Sequence, residues 1–370
     1  MQKDKVKSKT ALAIGVGTFD DSLEDVKSSL YELEELIYSL GWELLGSTYQ
    51  RIEKRNPKML IGQGKIEEIK SLIEETNAEV VVFDHPLTGS QNRNLSKELG
   101  GVIIADRSQI IIDIFAQRAK TKEGKLQVEL ARLLDELPRM VGGWHGSLSR
   151  LGGGIGTRGP GESALETDRR TIRSRISILR KKLKDIETHR KETKKRRKHG
   201  ILKIALIGYT NAGKSTLMNA LTEAETYAED KLFATLDPLT RKIYSKELGE
   251  VVVTDTVGFI NKIPTHLIEA FKATLEESSD ADLLLHVIDV SNPNYLNQVK
   301  MVEDLIDSFN WDEKPMIHVY NKIDLLPIDK KLTFKRTPPF LLSSATEGTP
   351  KDFWKTIKSQ ASPVEQKYKY

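Results

Sequence analysis

A lysine and a serine side by side, Lys214-Ser215, close the run Gly208-Tyr209-Thr210-Asn211-Ala212-Gly213-Lys214-Ser215-Thr216. The spacing is GxxxxGK[ST]. Backbone N–H groups of such a loop, and of the helix start behind it, face phosphate oxygens. The lysine supplies a point charge to the outer phosphates, and the serine hydroxyl is suited to Mg²⁺. That chemistry requires a strand before the loop and a helix after it. The apolar run Ile201–Ile207 reads as the strand and Leu217–Leu221 as the helix. This context separates a nucleotide site from an ordinary glycine turn.

Three further segments follow in the order a GTP site needs. Asp255-Thr256-Val257-Gly258 ends the apolar run Val251–Thr254. Asp255 is placed to hold Mg²⁺ through water, and the Gly258 N–H to meet the γ-phosphate. Asn321-Lys322-Ile323-Asp324 ends the run Met316–Tyr320. A carboxylate such as Asp324 accepts from N1–H and the 2-amino group of guanine, a pattern adenine lacks. The stem of Lys322 can cover the base. Ser344-Ala345-Thr346, behind Phe340–Leu342, fits the last base-side loop. NKxD alone is a weak string that caps or turns also use. The joint pattern predicts GTP binding and resembles the translation-factor-like class of P-loop GTPases.

Phe233-Ala234-Thr235-Leu236-Asp237-Pro238 lies between the first helix and the second strand. Thr235 is the residue expected to reach Mg²⁺ and the γ-phosphate when its loop is ordered; the alternative is a surface turn ended by Pro238. Lys214, Thr235 and Gly258 are thus the candidate catalytic positions, and Ser215 and Thr235 the candidate Mg²⁺ ligands. Phe259 follows Gly258, where many signalling GTPases carry a water-orienting Gln. Phenylalanine cannot orient water by hydrogen bonding. Slow intrinsic hydrolysis follows unless another molecule, or another residue of this chain, organises the water.

These segments occupy roughly residues 201–362 of 370, so a second folded region must precede them. The absence of cysteine excludes disulfides and thiolate metal sites, and seven scattered histidines offer no ligand spacing. No apolar run reaches the ~20 residues of a transmembrane helix, and MQKDKVKSKT lacks an apolar signal core. A soluble, cytoplasmic, monomeric protein is expected. Net charge is only +4, but from Arg169 to Lys198 fifteen Lys/Arg face three acidic residues. Such asymmetry points to a polyanion partner, with a solvated helix face as the alternative.

Upstream, Ala11–Val16, Trp42–Leu45, Met59–Ile61, Val80–Phe83 and Val102–Ile104 read as strands. Ser22–Leu40, Lys65–Glu75 and Arg93–Leu99 read as helices between some of them. The alternation predicts a small α/β domain over residues 1–120. Gly62-Gln63-Gly64-Lys65 lacks the first glycine and the Ser/Thr of a phosphate loop and reads as a plain strand–turn–helix.

Residues 121–200 carry two helical seams. Leu126, Leu130, Leu133 and Leu137 form one; Leu165, Ile172, Ile176, Leu179, Leu183 and Ile186 form the other. A long antiparallel helical hairpin buries both. Between the arms, Val141–Gly161 holds nine glycines in twenty-one residues and no acidic residue. Backbone can approach a ligand closely there, and Trp144, His145, Arg150 and Arg158 can stack on bases or pair with phosphates. With Arg169, Arg170 and Arg173 behind them, RNA contact is expected; a glycine linker is the alternative. The fold class is α/β: a P-loop GTPase domain (201–362) preceded by the small α/β domain and the hairpin, with a short tail at 363–370.

Asp106–Leu133, Gly152–Arg170 (GGGIGTRGPGESALETDRR) and Leu206–Leu221, with FATLDPLTR and DTVGFI, resemble the HflX family of ribosome-associated GTPases. The resemblance covers nearly the whole chain. It implies GTP-dependent binding to the large (50S) ribosomal subunit and its rRNA, with the hairpin loop near the peptidyl-transferase centre. It further implies splitting of stalled or stressed ribosomes and, in some relatives, resistance to antibiotics acting there. Many relatives carry a further C-terminal domain, whereas this chain stops at Tyr370. Members are also credited with ATP-dependent activity in the N-terminal half, for which this sequence shows no adenine or phosphate motif. A subunit-assembly GTPase, or an RNA-binding scaffold with little hydrolysis, is the alternative reading.

Overall fold

The computed structural model describes residues 8–140, 164–195, 201–222, 232–234, 236–264, 266–271, 280–311, 313–334, 336–348 and 352–365. The chain divides into two units: Met1–Gln117 with Lys125–Lys184, and Arg118–Gly124 with Asp185–Tyr370. Among the described residues no helix is long and apolar enough to cross a membrane.

The first unit is built on a parallel sheet of β1 (Thr10–Thr18), β2 (Glu43–Ile52), β3 (Val80–Phe83) and β4 (Ile103–Asp106), in the order β2-β1-β3-β4. Central parallel strands are covered on both faces, so they read as unbroken apolar runs. Val80–Phe83 is VVVF with all four residues buried. Helix α1 (Leu23–Leu40) starts where the Ser22 side chain accepts from the Asp25 N–H, a cap contributing about 1 kcal/mol. It stops at Gly41, whose φ of 84° suits glycine and turns its N–H back to the carbonyls of Ile37 and Tyr38.

Three expectations need correction. Met59–Ile61 is a turn, not a strand: Leu60 has φ 66°, and its N–H and C=O both pair with Asn56. Leu60 and Ile61 are nevertheless fully buried, so their apolarity reflects a core-facing turn. Strand β2 runs on to Ile52, because an edge strand tolerates the polar residues that seemed to end it. A helix, α4 (Arg107–Arg118), follows β4 directly where none was expected. Gly62–Lys65 forms the start of α2 (Gln63–Thr76), with Lys65 held by Glu68 at 2.6 Å and by Thr48 at 2.9 Å. Helix α3 (Gly89–Glu98) opens on a Thr88/Gln91 capping box.

Helices α5 (Lys122–Arg139) and α6 (Ala164–Lys195) carry the two seams. Leu130 and Leu133 are buried on α5, and Ile172, Ile176, Leu179 and Leu183 on α6. The buried face of α5 is broader than its leucine seam and includes Gln127, Val128, Ala131 and Asp135. In the first unit Glu129 of α5 pairs with Arg175 of α6 at 2.6 Å. In the second, Glu123 pairs with Arg190. Partner numbers thus rise on α6 as they fall on α5. The last turn of α5 is fixed by Arg139, whose guanidinium meets Asp106 at 2.7 Å, Asp135 at 2.8 Å and the Leu87 carbonyl at 3.1 Å.

The second unit holds β5 (Leu202–Gly208), β6 (Leu239–Ser245), β7 (Gly249–Asp255), β8 (Leu283–Asp289), β9 (Met316–Asn321) and β10 (Phe340–Leu342). Their order is β10-β9-β8-β5-β7-β6, with only β6 antiparallel to its neighbour. Parallel pairing brings the C-terminal ends of β5, β7, β9 and β10 to one edge, the place where open α/β sheets bind ligands. Helix α7 (Lys214–Thr222) starts there, directly behind the glycine loop.

Gly89 touches the end of α5: a Cβ there would collide with the Arg139 carbonyl oxygen. Gly89→Ala is therefore expected to destabilise the protein by about 1–3 kcal/mol, measured by denaturant unfolding. An unchanged midpoint would mean that this contact yields freely.

Candidate nucleotide site

The phosphate loop is shaped by what cannot be added to it. Gly213 has φ 91°, and a Cβ on it would run into the carboxamide nitrogen of Asn321. That carboxamide donates to the Ala212 carbonyl at 2.9 Å and accepts from the Ala345 N–H at 3.0 Å. Asn321 is 1% exposed. One buried side chain therefore joins the glycine loop, the NKID segment and the Ser344–Thr346 loop. Sequence reading put Asn321 at the nucleotide; its two partners here are protein backbone.

Lys214 opens α7 and is buried. Its ammonium donates to the carbonyls of Gly208 (3.1 Å) and Tyr209 (2.7 Å). Burial pushes its pKa down from 10.5 to about 8, against the opposing pull of Asp255. Gly258 packs directly on this point, since a Cβ there would lie 2.7 Å from Thr210 Cα and 2.9 Å from Lys214 Nζ. The Ser215 hydroxyl donates to Asp255 at 2.7 Å. A hydroxyl and a carboxylate side by side are hard oxygen donors of the kind Mg²⁺ takes, so the residues present fit that ion.

The segment after β7 is zipped to the phosphate loop. Thr210 N–H donates to the Phe259 carbonyl at 2.6 Å, and Phe259 N–H to the Gly208 carbonyl at 3.0 Å. The Tyr209 hydroxyl accepts from the Asn261 N–H at 2.8 Å. The side chains of Phe259 and Val257 are buried. Thr256 is buried too, and its hydroxyl donates to the Leu206 carbonyl at 2.7 Å. Thr256 thus secures the loop to β5, a role the motif alone did not reveal.

On the base side, the Ser344 hydroxyl donates to Asp324 at 2.8 Å and leaves that carboxylate exposed. Lys322, at φ 60°, sends its ammonium to Asp289 at 2.7 Å. Asp289 also accepts from the N–H and hydroxyl of Ser291. Asp289 lies at the end of β8, in register with Asn321. Sequence reading missed it, because only the pairing of β8 with β9 brings Asp289 beside the NKID segment. Ile323 is half-buried, Ala345 buried and Thr346 exposed.

Phe233 and Leu236 bury their side chains, and Ala234 is half-buried. Asp237 accepts from the N–H groups of Lys120 (3.0 Å) and Thr121 (3.1 Å) and from the Thr121 hydroxyl (2.5 Å). Thr235, Trp144, His145, Arg150 and Arg158 lie outside the described residues. Of the remaining RNA candidates, Arg170 and Arg173 are exposed on α6 and Arg169 is half-buried; Arg173 also meets Glu166 at 3.1 Å.

Family comparison agrees with this geometry. Residues 203–322 match the family described as 50S ribosome-binding GTPase, residues 27–116 the GTP-binding GTPase N-terminal family and residues 118–197 the GTP-binding GTPase Middle Region. GTPase HflX of Caldanaerobacter subterraneus subsp. tengcongensis is 54% identical over 82% of this chain and 70% of its own length. GTPase HflX of Escherichia coli K12 is 43% identical over 94% of this chain and 82% of its own. The chain belongs to the HflX family of GTPases. A crystal structure of SsGBP with GDP, 24% identical, covers 96% of this chain and 99% of its own at TM-score 0.53, a likeness of fold. This HflX-family protein binds and hydrolyses GTP.

The folded chain releases the Lys214 proton more readily than the unfolded one, so this lysine's contribution to apo stability rises from about pH 8 to 10.5. Phosphates favour the ammonium, so nucleotide binding above about pH 8 is expected to take up a proton. Calorimetry at pH 8.5 in buffers of different ionisation heat reads this directly. Lys214→Ala is expected to abolish that uptake and weaken GTP binding about 10–100-fold. Asp324→Asn, measured by competition between GTP and ATP, is expected to lower the preference for guanine at least tenfold; undiminished preference would place base reading elsewhere.

Proposed function

We propose that this GTPase splits stalled or stressed ribosomes, using GTP to control docking of a basic helical hairpin on the large subunit and its rRNA. The observation that carries this reading is α6. Arg170, Arg173, Arg175, Arg180, Lys181, Lys182 and Lys184 are all exposed on one helix of 32 residues, about 48 Å long at 1.5 Å per residue. A run of cations on that scale suits a phosphate backbone, whose neutralisation dominates nucleic-acid affinity. The matched family description, 50S ribosome-binding GTPase, supports the same partner.

In this reading α5 and α6 are the arms of a hairpin with residues 141–161 at its tip, and the tip probes the peptidyl-transferase region. Trp144, His145, Arg150 and Arg158 supply stacking and phosphate contacts there. Antibiotics bound at that region are then displaced or bypassed. The protein works as a cytoplasmic monomer.

Ser215 and Thr235 would hold Mg²⁺, with Asp255 acting through water; the ion neutralises charge on the β- and γ-phosphates. Lys214 moves from the loop carbonyls to the phosphates. The Gly258 N–H meets the γ-phosphate. Phe259, buried beside Tyr209, leaves the attacking water unorganised, so ribosomal elements accelerate hydrolysis. GTP controls docking because it favours one state over the other; equal affinity for both would shift nothing.

Light scattering from intact ribosomes tests this. With the protein and GTP or a non-hydrolysable analogue, scattering is expected to fall toward that of separated subunits. Deletion of residues 152–161 is expected to preserve GTP binding and abolish the fall. Co-sedimentation with the large subunit at constant scattering would instead favour an assembly factor, and nucleotide-independent co-sedimentation a scaffold.

A further inference from the structure

The carboxylate of Asp237 sits on the two residues that lead into α5. It accepts from the N–H groups of Lys120 and Thr121 and from the Thr121 hydroxyl, across 116 or 117 residues of chain. The Thr121 hydroxyl in turn accepts from the Gly124 N–H at 2.9 Å. Negative charge at a helix N-terminus is stabilised by the unsatisfied N–H groups and the helix dipole. Thr121, the residue before the helix, is the cap itself, and Asp237 from a remote loop holds that cap in place.

The fit is close. A Cβ on Gly124 would lie 2.6 Å from Asp237 Oδ1 and 3.1 Å from the Thr121 hydroxyl. The same turn is gripped from another side, where Glu123 pairs with Arg190 of α6. Lys120, Thr121, Glu123, Gly124, Arg190 and Asp237 all belong to the second unit. The loop, the first turn of α5 and the later part of α6 are therefore tied together within that unit.

We propose that Asp237 is a positioning residue of the GTP switch: through it, ordering of the loop after α7 fixes the first turn of α5 and so sets the basic helices for docking. Asp237 lies two residues from Thr235 and is followed by Pro238, whose ring fixes φ. Two extended residues span only about 7 Å, so the loop cannot be fixed at Thr235 without restraining Asp237. The docking half of this inference rests on the function proposed above; the contact itself does not.

Hydrogen exchange on the full-length chain tests the coupling without ribosomes. The amides of Lys120 and Thr121 are expected to exchange at least tenfold more slowly with Mg²⁺ and a non-hydrolysable GTP analogue than with Mg²⁺ and GDP. Equal exchange in the two states would overturn the proposal. Gly124→Ala supplies the control. Alanine is a better helix former than glycine by about 1 kcal/mol, so a purely structural first turn would be protected as well or better. The proposal expects the reverse: a crowded Asp237, a nucleotide difference reduced to under twofold, and unchanged GTP affinity. A Gly124→Ala protein that retains the full difference would refute it. Large-subunit affinity with the analogue and with GDP then separates the two claims. Equal wild-type affinities would sink GTP-controlled docking even with the exchange difference intact. A wild-type preference that Gly124→Ala leaves whole would sink the role of Asp237.

Discussion

The second unit is organised around a charge that it has buried. Lys214 stands at the start of a helix and out of bulk water, and isolated ammonium groups resist such burial. The chain meets this constraint by folding the loop around the ammonium, so that the Gly208 and Tyr209 carbonyls accept its protons. That wrapping is possible only if the backbone comes very close. Gly213 and Gly258 provide the approach, one beneath the Asn321 carboxamide and the other beside the lysine itself. The depressed pKa of Lys214 reflects a burial penalty that the nearby Asp255 carboxylate offsets only in part.

Most of the other site contacts serve to keep that loop in place. Asn321 bridges it to the loop after β10, and the Thr210–Phe259 and Phe259–Gly208 hydrogen bonds extend it as a short ladder. Thr256 is spent on the Leu206 carbonyl. The surface left for a ligand is consequently narrow: an exposed Asp324 held by Ser344, a Lys322 held by Asp289, and the Ser215–Asp255 pair. Each anchor belongs to a different strand end, and each reduces the freedom lost when GTP binds, which is the usual gain from preorganisation.

Local chemistry was legible in the sequence. A glycine loop between an apolar strand and a helix has one strong interpretation, and Val80–Phe83 announced itself because a covered parallel strand is apolar throughout. What stayed hidden depended on partners far along the chain. Nothing near Asp289 says that it will neutralise Lys322, and nothing near Arg139 names Asp106 as its partner. Met59–Ile61 misled because a buried turn and a short strand have the same apolarity, and only the φ of Leu60 separates them. Strand β6, LTRKIYS, escaped because an edge strand alternates and carries charge.

Asp237 illustrates why sequence adjacency is a poor guide to role in this loop. Read as part of FATLDP, it belongs with the nucleotide; its hydrogen bonds belong to α5. Both descriptions hold if the loop is a mechanical link. A loop that only bound phosphate would gain little by placing a carboxylate on a distant helix terminus, and Gly124 would have no reason to give up helix propensity there. A helix is a hydrogen-bonded rod, so a constraint on its first turn is felt along its length. Within the second unit the start of α5 is held twice, by the Asp237 carboxylate and by the pairing of Glu123 with Arg190 of α6.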